Sequence, residues 1–301
     1  VLLLEESRFS DLYASYKPLL FSLAYRMLGS VMDAEDVAHE AFLSLGDAEE
    51  AERIRNPKAY LCKIVTNRCI DRLRSSRAKR ETYYGPWLPE PLVANPDDAD
   101  DPYRAYARHE SLSTAYLLLL EQLSAVERAV FLLREALQYD YAEIAAIVGK
   151  SNANCRQIYH RAKRSLGESV RAGRGDGEPS RAAEPPGAVI ERFVRALTAG
   201  NVAHLLELLS GDATLYTDGG GKATAAIRPI LGPDRITRFL AGLQEKLPAD
   251  FSYRLAEVNG LPGIVTYTEG RTQSVFSFHA RNGRVQDIYI VVNPDKLAHV
   301  R

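Results

Sequence analysis

Residues 141–166, YAEIAAIVGKSNANCRQIYHRAKRSL, restrict the fold more than any other stretch of this chain. The apolar spacing predicts a helix, a tight turn and a second helix. Tyr141, Ile144, Ala145 and Val148 share one face of the first helix. Gly149 suits the left-handed conformation that ends it. Ser151 stands where a hydroxyl caps the next helix. Cys155, Ile158 and Ala162 form the inward stripe of the second helix, and Ala145 is small where the two helices cross. Arg156, Gln157, His160, Arg161 and Arg164 take the other faces. One apolar seam under a basic, amide-bearing surface predicts a helix-turn-helix whose second helix enters a DNA major groove. The plainer alternative is an amphipathic helical hairpin. Lys150 stands where such motifs often carry an apolar residue.

The 301 residues suit two or three domains. The net charge of −1 gives no overall nucleic-acid signature. Charge is placed locally instead: Lys58 to Arg80 and Arg156 to Arg174 are basic, and Asp97 to Asp101 is acidic. The three cysteines, Cys62, Cys69 and Cys155, lack metal-ligand spacing and read as buried free thiols, which fits a reducing, cytoplasmic setting. No stretch reads as a membrane span or a secretory signal.

Residues 7–45 read as helices, with Gly29-Ser30 as a break. The second of these turns Ala34, Val37, Ala38, Ala41, Phe42 and Leu45 inward and Asp33, Glu35, Asp36, His39 and Glu40 outward. Acid there suits the helix dipole and equally suits docking on a basic partner. Asn56-Pro57 starts a long helix to Arg80. Its inner stripe is Leu61, Ile64, Val65, Cys69, Ile70 and Leu73. Tyr60, Lys63, Asn67, Arg68, Arg72 and Arg74 give it an aromatic and basic surface fit for a phosphate backbone and a stacked, opened base. A solvated basic helix is the alternative.

The runs DAEDVAHEAFLSL, NPKAYLCKIVTNRCIDRLRSSRAKR and LSAVERAVFLLREALQYDYAEIAAIVGKSNANCRQIYHRAKRSL resemble the two domains of an extracytoplasmic-function sigma factor. The first two are similar to region 2, which docks on polymerase and melts the −10 element. The third is similar to region 4, which reads the −35 element. The resemblance implies that Asp33, Glu35, Asp36 and Glu40 dock on polymerase. It implies that Tyr60, Lys63, Asn67, Arg68, Arg72 and Arg74 meet the −10 element, and that Arg156, Gln157, His160, Arg161 and Arg164 face the −35 duplex. The implied partners are promoter DNA and the β′ clamp and β flap of core RNA polymerase. No cofactor or metal is implied.

Between these domains, residues 81–111 are rich in proline and acid and hold the sole tryptophan, Trp87. Such a residue is expected against a partner surface or as a local plug. Residues 171–187 are a second linker by composition. After it come helices over 188–199, 202–209 and 233–247. Strands are expected over 214–216, 251–258, 263–269, 273–280 and 284–292, with a turn at Asn282-Gly283. This order resembles SnoaL-like members of the NTF2-like superfamily. Three motifs narrow the resemblance to the ECF41 group, the SigJ-like sigma factors. They are Trp87, Leu88, Pro89, Glu90 and Pro91; Asp218, Gly219, Gly220, Gly221 and Lys222; and Asn293, Pro294, Asp295, Lys296 and Leu297. The group implies that these motifs form a regulatory interface, through which the tail contacts the sigma regions in cis.

The expected architecture is therefore multidomain. Two all-α sigma domains, a region 2 bundle (1–80) and a region 4 helix-turn-helix (112–170), precede an α+β NTF2-like cone with a curved antiparallel sheet (188–301). A non-enzymatic promoter-specificity subunit is the first reading. The alternatives are a repressor with a ligand-binding domain, or a SnoaL-like enzyme fused to a DNA reader. Enzyme chemistry would call on Asp218, Tyr216, His279 or Tyr289. A small-molecule ligand for the C-terminal domain stays open.

Overall fold

The computed structural model describes residues 2–44, 54, 56–94, 112–172 and 184–300, with backbone alone at 2–9, 76–81 and 168–172. Leu45, the acidic run 97–101, residues 173–183 of the second linker, and the side chains of Arg77, Lys79 and Arg80 lie outside what is described. The chain divides into two compact units, and sequence order does not separate them. One unit holds residues 1–78 and 119–173, the other residues 79–118 and 174–301.

The first unit is all α. Helices α1 (Leu2–Leu28), α2 (Val31–Leu43) and α3 (Pro57–Glu81) bury Leu20, Phe21, Ala24, Met27, Val37, Phe42, Leu61 and Val65. Ser30 caps α2 by accepting from the Asp33 amide at 3.1 Å. Helix α4 (Thr114–Glu121) begins in the second unit and ends in the first. Helices α5 (Ala125–Glu135), α6 (Tyr141–Val148) and α7 (Asn152–Ala172) follow. Arg128 on α5 is 3% exposed, and its guanidinium donates to the Met27 carbonyl and to Glu121. Met27 lies in the last turn of α1, where a helix leaves its own carbonyls without intrahelical donors. A cation at that end also favours the helix dipole. Arg128 thus caps α1 and fastens α5 to the N-terminal helices. Lys58 lies 5.9 Å from the Tyr139 ring and adds a second tie between α3 and the α5–α6 turn.

The second unit holds helices α8 (Pro186–Thr198), α9 (Val202–Leu208) and α10 (Pro233–Gln244), the short α11 (Pro294–Leu297), and strands β1 (Val93–Ala94), β2 (Leu209–Asp218), β3 (Ile230–Leu231), β4 (Ser252–Val258), β5 (Leu261–Thr268), β6 (Arg271–Arg281) and β7 (Arg284–Val291). The expected cone is overturned. The strands form one open sheet in the order β1-β4-β5-β6-β7-β2-β3, which neither closes nor curls. It is also mixed, because β2 runs parallel to β7. Two things explain this. The β4–β7 meander brings its last strand back alongside β2 in the same direction. The edge that a cone would turn inward is instead taken by β1, which pairs Val93 with Val258. Asn282 (φ 51°) and Gly283 (φ 73°) both adopt positive φ, as a tight hairpin with two left-handed central residues requires.

Alternation along the strands sorts the sheet into two faces. Leu215, Ile264, Phe276, Phe278, Ile288 and Ile290 pack under Val189, Ile190 and Phe193 of α8 and Ile236 and Leu240 of α10. The opposite face carries Val258, Val265, Val275, Tyr289 and Val291, and is covered by Leu88 of the linker and Leu297 and Val300 of the C-terminal turn. Ala115 and Leu118 of α4 pack there as well. The linker is therefore part of this unit's core.

Candidate nucleic-acid interface and linker clamp

Local chemistry builds the helix-turn-helix. Ser124 and Glu127 form a reciprocal capping box on α5, and Asp140 and Glu143 form another on α6. Gly149 ends α6 at φ 65°, and the Lys150 amide closes the turn on the Ala145 carbonyl at 3.2 Å. The Ser151 hydroxyl accepts from the Asn154 amide at 3.2 Å and starts α7. Ile144, Cys155, Ile158 and Ala162 form the buried seam, and the α6 residue completing it is Ile147, not Val148. Tyr159 is buried too and donates its hydroxyl to Glu135. That hydrogen bond holds the Glu135 carboxyl below its ordinary range, helped by Lys163 and opposed by burial.

Arg156, Gln157, His160, Arg161 and Arg164 are all exposed on α7. Arg156 lies 5.4 Å from the Tyr141 ring. Arg161 donates Nε to Glu127 at 2.6 Å. For Glu127, burial raises the carboxyl pKa, but the Ser124 and Arg161 hydrogen bonds outweigh it and leave it lowered.

On the N-terminal helices, two sets of residues that the sequence keeps apart are joined. Arg72 pairs with Asp33, with Glu40 at 3.4 Å and with Asp36 at 3.8 Å. Arg68 pairs with Glu40. Glu35 and Lys63 are exposed, Tyr60 and Asn67 half-buried, and Arg74 lies 3.6 Å from Asp71. These pairs are solvent-accessible, and exposed ion pairs contribute only about 0–1 kcal/mol each. A partner can therefore take either member at little cost.

The second unit gathers WLPEP, DGGGK and NPDKL around one buried ion pair. Asp218 is 0% and Lys296 is 7% exposed, and Lys296 Nζ donates to Asp218 Oδ2 at 2.7 Å. The carboxylate also accepts from the Tyr83 hydroxyl at 2.6 Å and from the Leu88 amide at 2.7 Å. Lys296 further donates to the Leu88 carbonyl and lies 4.2 Å from the Trp87 ring and 5.0 Å from the Tyr83 ring. Burial, and then the bond to Asp218, push the Tyr83 phenol well above its ordinary pKa, so it remains a protonated donor.

The glycines are needed for close approach. Gly220 has φ +57°, and a Cβ there would stand 2.9 Å from Tyr83 Oη. A Cβ on Gly219 would stand 2.9 Å from Ala225 Cβ. Asn293 caps α11 and donates Nδ2 to Tyr83 Oη at 2.9 Å. Lys222 pairs with Asp295 at 2.5 Å, on the exposed side. Pro89 and Pro91 are buried, Glu90 is half-buried and Pro294 exposed. The Pro91 carbonyl lies 2.9 Å from His299 Nε2, and the Leu92 carbonyl accepts from the Asn259 amide at 2.8 Å.

Residues 12–79 match the family described as Sigma-70 region 2, and residues 113–166 match Sigma-70, region 4. The ECF RNA polymerase sigma factor SigJ of Mycobacterium tuberculosis is 34% identical over 287 residues, covering 92% of this chain and 89% of its own. This chain belongs to the extracytoplasmic-function RNA polymerase sigma factors. The crystal structure of M. tuberculosis SigJ matches 97% of the sigma factor and 98% of its own chain, with a TM-score of 0.75 and 31% identity. The probable sigma factor SigI of M. tuberculosis is 27% identical over 97% of this chain and 96% of its own. The family acts on DNA and RNA polymerase through regions 2 and 4 and is not catalytic.

Of the groups that enzyme chemistry would need, Asp218 is taken up by the linker clamp, while His279, Tyr289 and Tyr216 gather beside Asp287. Asp218 is paired with Lys296, Tyr216 and Tyr289 stack at 5.5 Å, and His279 lies 2.9 Å from Asp287. Among the described residues no cluster of three or more His, Cys, Asp or Glu could hold a metal, and no helix is long and apolar enough to cross a membrane. Cys62, Cys69 and Cys155 are free and buried, and burial raises the pKa of each thiol. Sequence reasoning missed Arg128, Tyr139 and Tyr83. The signal for Arg128 was an arginine followed by the apolar run Ala129 to Leu133. Tyr83 stood beside the linker motif without an assigned role.

Proposed function

We propose that this sigma factor directs core RNA polymerase to −35 and −10 promoter elements, and that its C-terminal domain gates this activity in cis by holding the linker. The exposed α7 side chains Arg156, Gln157, His160, Arg161 and Arg164 support the −35 role. Arginine suits guanine and phosphate, and glutamine suits adenine. The basic and aromatic surface of α3, from Tyr60 to Arg74, supports contact with the −10 element. The acids Asp33, Glu35, Asp36 and Glu40 on α2 support docking on the polymerase clamp, with α5–α7 offered to the flap. The convergence of all three motifs on one network supports membership of the ECF41 group.

The observation that carries the gating reading is the buried Asp218–Lys296 pair closed over the Leu88 backbone. Productive binding needs regions 2 and 4 spread over polymerase and two promoter elements. Residues 83–94 supply roughly 40 Å of contour when extended, at about 3.4 Å per residue. Docked on the C-terminal sheet, they lose that reach. The Arg128 cap on α1 holds regions 2 and 4 together at the same time. A bias of roughly 3 kcal/mol toward this state leaves about one molecule in a hundred competent.

Run-off transcription with purified core polymerase tests both parts, comparing the intact chain with Lys296→Met. A promoter-specific product that rises several-fold in the variant is expected. Equal product from both would sink the gating, and no promoter-specific product from either would sink the promoter-recognition role.

A further inference from the structure

The helix-covered face of the C-terminal sheet contains a cavity of about 950 Å³, within the roughly 300–1,000 Å³ typical of small-molecule sites. Its walls include Leu240 of α10, Leu247 and Phe251 of the following loop, and Ile264, Phe276 and Ile290 of the sheet. Gln244 braces the rim by donating to the Leu197 carbonyl at 2.8 Å. On the wall, the buried hydroxyls of Thr266 and Ser274 face each other across β5 and β6 at 2.5 Å. Each hydroxyl keeps acceptor capacity, and one can turn its proton to a ligand. The one charged lining side chain among the described residues is the exposed Lys246. Among the described residues no carboxylate and no histidine lines the space, so it suits binding rather than acid–base chemistry.

Leu243, Leu247 and Tyr253, at 38%, 43% and 47% exposure, give the cavity an apolar, solvent-facing rim. Burying apolar surface in this space is favourable by about 25 cal/mol per Å². A charged head placed at the hydroxyl pair would lose its hydration with no counter-charge beside it. The ligand class that fits is uncharged, mainly apolar, and carries one hydroxyl or carbonyl.

The cavity also shares backbone with the clamp. Ala223 and Thr224 line it directly after the glycine loop, and the Ala223 amide donates to the Gly219 carbonyl at 3.1 Å. Val292 lines it as well, and the amides of Val292 and Asn293 both donate to the Asp218 carbonyl at 2.9 Å. Displacing this wall displaces the carriers of Asp218 and Asn293.

We propose that the cavity binds a small, uncharged, apolar alcohol or ketone, and that its occupancy is coupled to the linker clamp through the shared backbone at 218–224 and 292–293. The coupling rests on the gating reading; the binding site does not. Ligand binding shifts the clamp by the ratio of its affinities for the docked and released states.

The test uses the full chain with elongated 1-decanol, compact 1-adamantanol and, as a charged control, decanoate. Equilibrium dialysis reads binding. Trp87, the only tryptophan, reads the clamp by its emission. Saturable binding of one of the two alcohols is expected, at least tenfold tighter than decanoate. Thr266→Val should weaken it about fivefold, through loss of one hydrogen bond. Ser274→Leu should weaken it at least tenfold by filling the space; Thr266→Val, nearly isosteric, keeps the test decisive if that variant does not fold. No saturable binding of either alcohol, or decanoate binding as tightly, would overturn the site and leave the gating untouched. Saturable binding with unchanged Trp87 emission would overturn the coupling alone.

Discussion

Replacing Lys296 by methionine isolates the clamp from the rest of the fold. Methionine keeps most of the aliphatic volume beneath Trp87 and removes the ammonium. Asp218, fully buried, then keeps two donors, the Tyr83 hydroxyl and the Leu88 amide, without its counter-charge. Removing one member of a buried pair costs about 3–5 kcal/mol. The Leu88 carbonyl also loses its donor, at about 1–3 kcal/mol for a group left buried and unsatisfied. Even the lower bound, about 3 kcal/mol, corresponds to more than a hundredfold in the docking equilibrium. Hydrogen exchange reads this directly, because the Leu88 amide is itself bonded to Asp218. Leu88 exchange should accelerate about a hundredfold, together with that of the Asn259 amide, which bonds the Leu92 carbonyl. Amides of Ala129 to Leu132 in the first unit serve as the unchanged reference. A change of less than about threefold at Leu88 would refute the reasoning. Asp218→Asn combined with Lys296→Met, which leaves no buried charge, should recover much of the protection.

Further outcomes follow from the same geometry. Gly220→Ala puts a Cβ at φ +57°, against Asn293 and the Tyr83 hydroxyl. It should weaken linker docking by about 1–3 kcal/mol, visible as faster Leu88 exchange with little change in the first unit. Arg128→Leu leaves the Met27 carbonyl and Glu121 without that donor. It should lower the stability of the first unit by about 1–3 kcal/mol, checked by chemical denaturation. Gln157→Ala should relax discrimination at one −35 position by about 1–3 kcal/mol, and Arg164→Ala should reduce the salt dependence of promoter binding by about one phosphate. Both are measured with the reconstituted holoenzyme on promoter variants. Glu135 and Glu127 both have lowered folded pKa values, so the stability they contribute is full above the unfolded carboxylate pKa. It is lost as pH falls through their folded values. The first unit's melting temperature should therefore fall as pH drops below about 4.5, and Glu127→Gln with Glu135→Gln should flatten that fall.

The helix-turn-helix was legible in the sequence because its determinants are local. Gly149, the Ser124–Glu127 box and the stripe Cys155, Ile158, Ala162 each act within one or two turns of chain. The short helix α6 was harder. Eight residues hold Ile144, Ile147 and Val148, and only packing decides which of the last two turns inward. The sheet's strands were legible from alternation, but their order was not. The two residues of β1 become a strand only through β4, more than 150 residues away in the chain. The parallel β2–β7 pairing is nonlocal too, and together these turned the expected cone into an open mixed sheet.

Charge was the other blind spot. Lys296 stands in the NPDKL motif expected at an interface, but its burial and its pairing with Asp218 follow only from the single turn of α11, which sends it inward beside Leu297. Arg68 and Arg72 read as free cations on α3, but α2 supplies their acids from 28 to 39 residues earlier in the chain.

The chemistry of the clamp decides what kind of contact it is. An apolar plug such as Leu88 alone would tolerate sliding, since burial is non-directional and proportional to area. The ion pair removes that tolerance. Lys296 reaches the Leu88 carbonyl and the Trp87 ring, beside Asp218, only with the linker docked. Gly220 admits Asn293 and Tyr83 only in that same register. A buried pair adds little net stability over an apolar substitute, but a half-formed one is heavily penalised. Partly docked linkers are therefore disfavoured relative to both the docked and the released chain. Leu88 supplies the affinity, and the Asp218–Lys296 pair favours all-or-none docking, as the proposed gate would require.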